Sequence, residues 1–396
     1  MRRLERTIAA MVAGMLALPA LAQTTVLSAA RIHTMDTARP LAQAMAYDAS
    51  GKILAVGDTG DLLARYPQAR RLDLGKATVV PGLIDAHAHV SGLGFAMMDA
   101  DLVDTRDKAE ILERLRAKAA ALKPGEWLIG RGWDQNDWPE KSFPSAADLD
   151  AAFPDRPVWL SRIDGHAGWA NTTAMRAVQR DLSGTWQPDG GAIQRDAAGK
   201  PTGIFVDNAM ALLEEARPAT SEATAERALL LGMQAAVQHG LTGVHDAGIS
   251  LAELQRYRRL ADRGAMPLRI YAMADGNGAA LESLCANGLY RHASGRLQMR
   301  AVKLYADGAL GSRGAAMLED YSDDHGNRGL LLMSAQELAD AAAKARRCGV
   351  QAATHAIGDR GNRLTLDTYA KALGDDTAGD HRWRVEHAQI LSLADL

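Results

Sequence analysis

The chain has 396 residues, 47% of them hydrophobic and 5% aromatic, and its 45 basic and 48 acidic side chains leave a net charge of −3. That length exceeds one ordinary hydrophobic core, although a barrel can hold about 250 residues as a single domain. Charges of both signs near balance give no sign of nucleic-acid binding or of a polybasic membrane surface.

The first 22 residues read as a targeting segment. Arg2, Arg3 and Arg6 make a basic start, Ile8 to Leu18 is uncharged and mostly apolar, and Ala20-Leu21-Ala22 offers small residues for cleavage. The apolar run falls short of the roughly 20 residues that a membrane-spanning helix needs. The expectation is therefore a signal peptide over 1–22, cut near Ala22, and a periplasmic or secreted protein without stable membrane insertion. A retained N-terminal anchor is the alternative.

From Thr24 to about Val80 the pattern is short apolar segments and turns, with Ser50-Gly51-Lys52 as a hairpin signal between two of them. Residues 23–80 read as the N-terminal part of a small β-sandwich domain. At Val79-Val80-Pro81-Gly82-Leu83-Ile84-Asp85 an apolar run leads directly into histidine-bearing sequence, as a buried strand ending at a working loop would.

Beyond it, helical and strand-like segments alternate. Helices are predicted over Lys108–Leu122, Ser221–Gln238 and Ser334–Cys348, the last with Ser334 and Glu337 spaced as a capping box. Strands are predicted at Leu241–Asp246, Leu268–Ala274, Met299–Tyr305, Gly349–His355 and Trp383–His387. Repeated βα units predict a parallel sheet closing into a TIM-type (β/α)8 barrel over 81–396, an α/β fold. About 126–203, rich in Trp, Pro, Asp and Gly, breaks the alternation and reads as an insertion. Six barrel strands are legible where eight are required, so the last strands are expected to lie beyond Leu396. Cys285 and Cys348 are not spaced as zinc ligands; they could pair in an oxidising compartment, but the expectation is two small buried side chains.

Alternate residues of an extended chain point the same way, so His87 and His89 can face one ion. An H-x-H alone is weak evidence. Within Pro81-Gly82-Leu83-Ile84-Asp85-Ala86-His87-Ala88-His89 it is much stronger, and here the chain resembles the amidohydrolase superfamily, in the amidohydrolase-3 branch that includes N-substituted formamide deformylase-like proteins. The likeness runs from Thr25 to Leu396.

The resemblance implies a binuclear metal centre. His87, His89 and Lys303 would hold one divalent ion; Lys303, His355 and His387 would hold the second, with Lys303 carboxylated by CO2 as the bridge. Zinc is the expected metal, although such ligands accept several first-row ions. Burial of a lysine between Val302 and Leu304 favours the neutral amine that carboxylation requires. The expected activity is hydrolysis of an amide-type carbon–nitrogen bond in a small molecule by a metal-activated hydroxide. The family's general-base aspartate, from the eighth barrel strand, has no match here; Asp395 comes too soon after His387.

His166, within Arg162-Ile163-Asp164-Gly165-His166, is placed by the resemblance near the substrate, where it could stabilise the carbonyl oxygen; alternatively it only orders its loop. Trp133 and Trp169, with Trp138, could wall an apolar substrate pocket or fill the insertion's own core. Ser312 and Arg313, after the lysine strand, are candidate substrate contacts. Asp85 and Asp246 suit supporting roles. Other readings stay open: a mononuclear or deaminase-type member of the superfamily, or a metal-binding periplasmic or regulatory protein without turnover. Substrate identity is not legible, nor is oligomeric state, and a homo-oligomer stays open.

Overall fold

The computed structural model describes residues 24–396. The expected signal peptide lies outside the described residues, and among these no helix is long and apolar enough to cross a membrane. The chain divides into two compact units at Gly82/Leu83.

In the first unit, β1 (Thr25–Asp36), β2 (Arg39–Tyr47), β3 (Ile53–Gly57), β4 (Arg70–Asp73) and β5 (Thr78–Val79) form one five-stranded mixed sheet. Asp48 Oδ1 accepts from the amides of Ser50 and Lys52, and Gly51 takes φ +83°, so the β2–β3 turn forms where the hairpin signal lay. The helix α1 (Thr59–Arg65) buries Leu62 against Val26, Ala44 and Ala46 on one face. Among the described residues a helix, rather than the second sheet of a sandwich, covers that face. Val79 belongs to β5, so Pro81-Gly82 separates the small sheet from the first barrel strand.

The second unit opens with β6 (Leu83–Ala88) and α2 (Val90–Ala96). A six-stranded sheet follows: β7 (Ala100–Asp101), β8 (Leu128–Trp133), β9 (Val158–Arg162), β10 (Ala167–Ala170), β11 (Gly191–Arg195) and β12 (Pro201–Asp207), in the order β11-β12-β10-β9-β8-β7. The helices α3 (Lys108–Ala119), α4 (Ala146–Asp150), α5 (Thr172–Arg176) and α6 (Ala211–Ala216) accompany it. The insertion thus begins near Ala100 rather than 126 and ends at Asp207 rather than 203. The early boundary is hidden because α3 has ordinary amphipathic spacing, but Ile111 and Leu115 pack on Leu102 and Leu128 of this sheet.

The barrel resumes with α7 (Glu222–Gln238), β13 (Leu241–Ile249), α8 (Leu251–Asp262), β14 (Arg269–Asp275), α9 (Ala279–Asn287), the short β15 (Tyr290–Arg291), β16 (Leu297–Tyr305), α10 (Ala335–Arg347), β17 (Gln351–Ala356), α11 (Asp359–Leu373) and β18 (Arg384–His387). Six parallel strands run in the order β18-β17-β16-β14-β13-β6. Ala247, Met273, Ala301 and Ala353 form a thin interior layer, while Val244, Ile270, Val302 and Ala352 face the helices. Small interior residues let the sheet curl. Its edge strands meet through side chains, Arg384 donating from Nη2 to the Ala86 carbonyl at 2.9 Å. The result is a nearly closed TIM-type barrel sheet.

Helix ends follow their sequence signals. Ser221 accepts from the Thr224 amide, and Ser334 with Glu337 completes a capping box. Cys285 of α9 and Cys348 at the end of α10 form a disulfide, Cα to Cα 5.0 Å. This corrects the expectation of two unpaired buried thiols: βα connectivity sets these helix ends side by side, which a separation of 63 residues could not reveal.

Candidate active site

The strand carboxyl ends carry the chemistry, because in-register parallel strands end at one level. Asp275 pairs with Lys303, Tyr305 with His355, and Ala356 with His387. His87 lies in β6 and His89 at the N-cap of α2. The loop between β9 and β10 brings His166 to the same place. Five imidazoles form a continuous row, with ring centroids 5.3 Å apart for His87–His89, 4.7 Å for His87–His387, 4.5 Å for His387–His355 and 5.0 Å for His355–His166.

Lys303 sits beside this row. Its residue is 1% exposed, its Nζ is 3.4 Å from His87 Nε2 and 5.1 Å from the Tyr305 ring centroid, and it makes no ion pair among the described residues. Burial lowers its ammonium pKa to about 8, against opposing fields from Glu386 and Asp275.

Three of the imidazoles, His89, His355 and His387, are held neutral, whereas at His166 the Asp207 and Asp164 carboxylates outweigh burial and raise the pKa. Burial, then the charge of His166, takes His355 down to about 2. Burial, then Lys303 and His87, takes His89 to about 4, and burial, then His87 and Lys303, does the same for His387. His355 is 3% exposed and feels this in full. His89 and His387 open onto the cavity, so water screens part of the effect there.

Supporting groups fix the rings. His87 Nδ1 bonds Glu386 Oε2 at 2.6 Å, which leaves Nε2 facing Lys303. Glu386 also takes a bond from Arg384 Nε, and these partners outweigh burial to hold its carboxyl below the usual range. Asp85 Oδ1 accepts the His87 amide at 3.0 Å. Asp246 accepts the Val90 amide at 2.9 Å and the Tyr257 hydroxyl at 2.6 Å, which ties down the residue after His89. His355 Nε2 reaches the Gly308 carbonyl at 3.1 Å, leaving Nδ1 for other partners. Asp307 accepts three backbone amides, from Ala316, Ile357 and Gly358; burial still lifts its pKa to about 6.

His89, Lys303, Tyr305, His355, His387 and His166 line a cavity of about 620 Å³ that also takes in Arg131, Asp101, Asp164, Leu93 and Val103. A larger cavity of about 720 Å³, lined by His245, Arg300, Arg382 and Arg384, holds none of the histidine row. The chemistry belongs to the smaller one.

The residues expected to hold metal therefore converge: His87, His89, Lys303, His355 and His387 stand together, with His166 beside them. Among the described residues no group of three His, Cys, Asp or Glu side chains is by itself set to hold an ion. The donor set nevertheless fits divalent metal, because burial favours the neutral form of His89, His355 and His387, a carboxylate orients His87, and a buried amine lies beside it.

Four expected substrate contacts are elsewhere. Trp133 and Trp169 are fully buried in the core of the second sheet, where they pack with Trp138 at centroid distances of 6.0–6.4 Å. Their indole N–H groups go to the carbonyls of Leu160 and Ser145, so they build the insertion and do not wall the cavity. Ser312 is 3% exposed and bonds the Ala309 carbonyl. Arg313 turns to Asp323 at 2.7 Å. The loop after β16 folds back on itself, which aims both away from the cavity.

Glu386, Asp307, Asp207 and Arg131 were not singled out from sequence. Only Glu386 left a signal, an acidic residue directly before His387 at a strand end.

A TIM-type barrel with histidines and a lysine at its strand ends defines a class, and the comparisons identify the family. Residues 70–396 match the amidohydrolase-3 model of the amidohydrolase family, to which this chain belongs. It is 33% identical over 356 residues to the YtcJ protein of Bacillus subtilis (strain 168), covering 87% of this chain and 65% of that protein. It is 32% identical to the protein LONG AFTER FAR-RED 3 of Arabidopsis thaliana, covering 91% and 63%. With the N-substituted formamide deformylase of Arthrobacter pascens it shares 31%, covering 91% and 68%. The chain thus spans about two thirds of the length of these relatives. A crystal structure described as an uncharacterized metal-dependent hydrolase from Pyrococcus horikoshii OT3 superposes with TM-score 0.70 at 23% identity, covering 94% of this chain and 71% of that one.

Proposed function

We propose that this chain forms the metal-binding part of a hydrolase that cleaves an amide-type carbon–nitrogen bond in a small molecule. One observation carries the reading. Lys303, 1% exposed and without an ion pair among the described residues, lies against a row of histidines whose neutral form burial favours. A buried neutral amine can add to CO2 with release of a proton, and the resulting carbamate would hold divalent metal together with His87, His89, His355 and His387. When bound, such ions supply Lewis-acid polarisation of a carbonyl and activation of water.

The chain's own groups do the rest. Glu386 orients His87, Asp246 anchors the turn that carries His89, and His166 lines the cavity beside His355. The cavity, about 620 Å³, has the size of small-molecule sites and accepts a substrate with an apolar part against Leu93 and Val103. The family name and the resemblance to a formamide deformylase support amide chemistry. Zinc suits the nitrogen-rich donor set. Export to the periplasm or exterior is part of the same reading, supported by the Cys285–Cys348 disulfide, since such bonds persist in oxidising compartments.

The test is metal content by elemental analysis of the wild type and of Lys303→Ala, followed by an amide screen. About two ions per chain, falling sharply without Lys303, support the reading. One ion indifferent to Lys303 would favour a mononuclear site, and none in either protein would sink the proposal.

A further inference from the structure

Asp207, at the end of β12, does not line the cavity but meets the residue that does. Its Oδ1 is 2.6 Å from His166 Nδ1, and its backbone amide donates to the His166 carbonyl at 3.0 Å. The carboxylate is fully enclosed. It is held at some structural expense. Asp207 adopts φ +51°, ψ −126°, a region that favours glycine, and its Oδ2 is buried without a hydrogen-bond partner among the described residues. The space around that oxygen is cut to fit: a Cβ at Gly308 or Gly314 would lie 2.4 or 2.2 Å from it.

An aspartate that only braced a loop would be expected to satisfy both oxygens in relaxed backbone. Here the unrelaxed features all serve one contact, Oδ1 to His166. His166 is fixed from other sides too, its amide bonding Asp164 Oδ1 at 3.0 Å and its ring lying 5.0 Å from that of His355. With Nδ1 sealed by Asp207, Nε2 has no protein partner among the described residues and belongs to a ring that lines the cavity.

We propose that Asp207 is a positioning residue: by accepting Nδ1–H it fixes the tautomer and orientation of His166, so that Nε2 is the atom that meets the substrate. This rests on reading the cavity as an amidohydrolase active site. A histidine whose carboxylate partner is lost adopts the wrong tautomer, with a large loss of turnover.

Two measurements test it. Long-range 1H–15N correlation on histidine-labelled protein, with His166 assigned by its loss in His166→Gln, reads the tautomer without any substrate. At a pH high enough for the ring to be neutral, the wild type is expected to carry the proton on Nδ1, and Asp207→Asn to shift it toward Nε2; the same tautomer in both would overturn the proposal. Kinetics on an amide that the wild type hydrolyses should show kcat down about 100-fold in Asp207→Asn with KM within about threefold. The double variant with His166→Gln should be no slower than His166→Gln alone, whereas additive losses would refute the coupling. A wild type that turns over no amide while the tautomer shifts as expected would sink the proposed activity and leave the positioning role standing. Asp207→Ala, checked by thermal melting, replaces Asp207→Asn if that variant does not fold.

Discussion

Replacing Glu386 by glutamine tests whether the carboxylate under His87 is what makes that histidine a metal ligand. Glu386 is 6% exposed, and its two oxygens serve His87 Nδ1, at 2.6 Å, and Arg384 Nε. Glutamine has one oxygen for the two. Turned toward His87, its amide NH2 faces the Arg384 guanidinium; turned toward Arg384, the NH2 faces His87 and favours the tautomer with the proton on Nε2, the nitrogen needed for metal. The first pose leaves one buried donor unmet, at about 1–3 kcal/mol, and the second puts a proton on the nitrogen that metal needs. Loss of the outer partner of a ligating histidine weakens metal binding by about 10- to 100-fold, which converts to about 1.4–2.7 kcal/mol. The two ranges overlap, so metal affinity and melting temperature should fall together. Chelator competition followed by elemental analysis measures the first, and thermal melting of the metal-free protein measures the second. Affinity within about threefold of wild type, with unchanged melting, would refute the reasoning.

Three further outcomes follow from the same geometry. His355 keeps a pKa of about 2 when folded against about 6.5 when unfolded, so the unfolded chain binds the extra proton between these values. Stability of the metal-free protein should therefore rise with pH across that window, by up to about 1.4 kcal/mol per unit, and level off above it. Denaturant melts at pH 5.5 and 7.5 should show this, and His355→Asn should flatten the slope. Gly232→Ala would set a Cβ 2.1 Å from the Val90 carbonyl, forcing α7 away from the helix that begins at His89. It should cost about 1–3 kcal/mol or more and reduce metal retention; melting and metal content unlike wild type in neither respect would contradict the packing argument. Cys285→Ser with Cys348→Ser opens a 63-residue loop and should cost about 4 kcal/mol on the chain-entropy account. Wild-type melting that does not change on adding reductant would argue against the pairing.

The likeness to an amidohydrolase was legible because its signals are local. Pro81-Gly82 punctuates the chain just before β6, His87 and His89 follow in an extended stretch, and Ser221 and Ser334 begin helices by capping that needs only four residues. Lys303, His355 and His387 are each near the end of a predicted strand, and that recurrence in chain order was enough to propose that they meet. Glu386 and Asp207 were not recognised, since a carboxylate's role depends on what faces it across 299 and 41 residues of chain.

The tryptophans mark the limit most clearly. Composition said that Trp133 and Trp169 bury large area, and they do, but composition cannot say whether the buried side is a cavity wall or a core. The mixed sheet from Ala100 to Asp207 decided it by turning both rings inward onto Trp138. The disulfide has the same character: two cysteines were visible, and only the stacking of α9 beside α10 brought their Cα atoms to 5.0 Å. Sequence by itself determined the periodicity, the caps and the order of candidate ligands, because these depend on neighbours a few residues away. Tertiary structure alone decided which polar groups share a cavity, which are sealed by a partner and which merely pack, because those outcomes depend on register and curvature across the whole sheet.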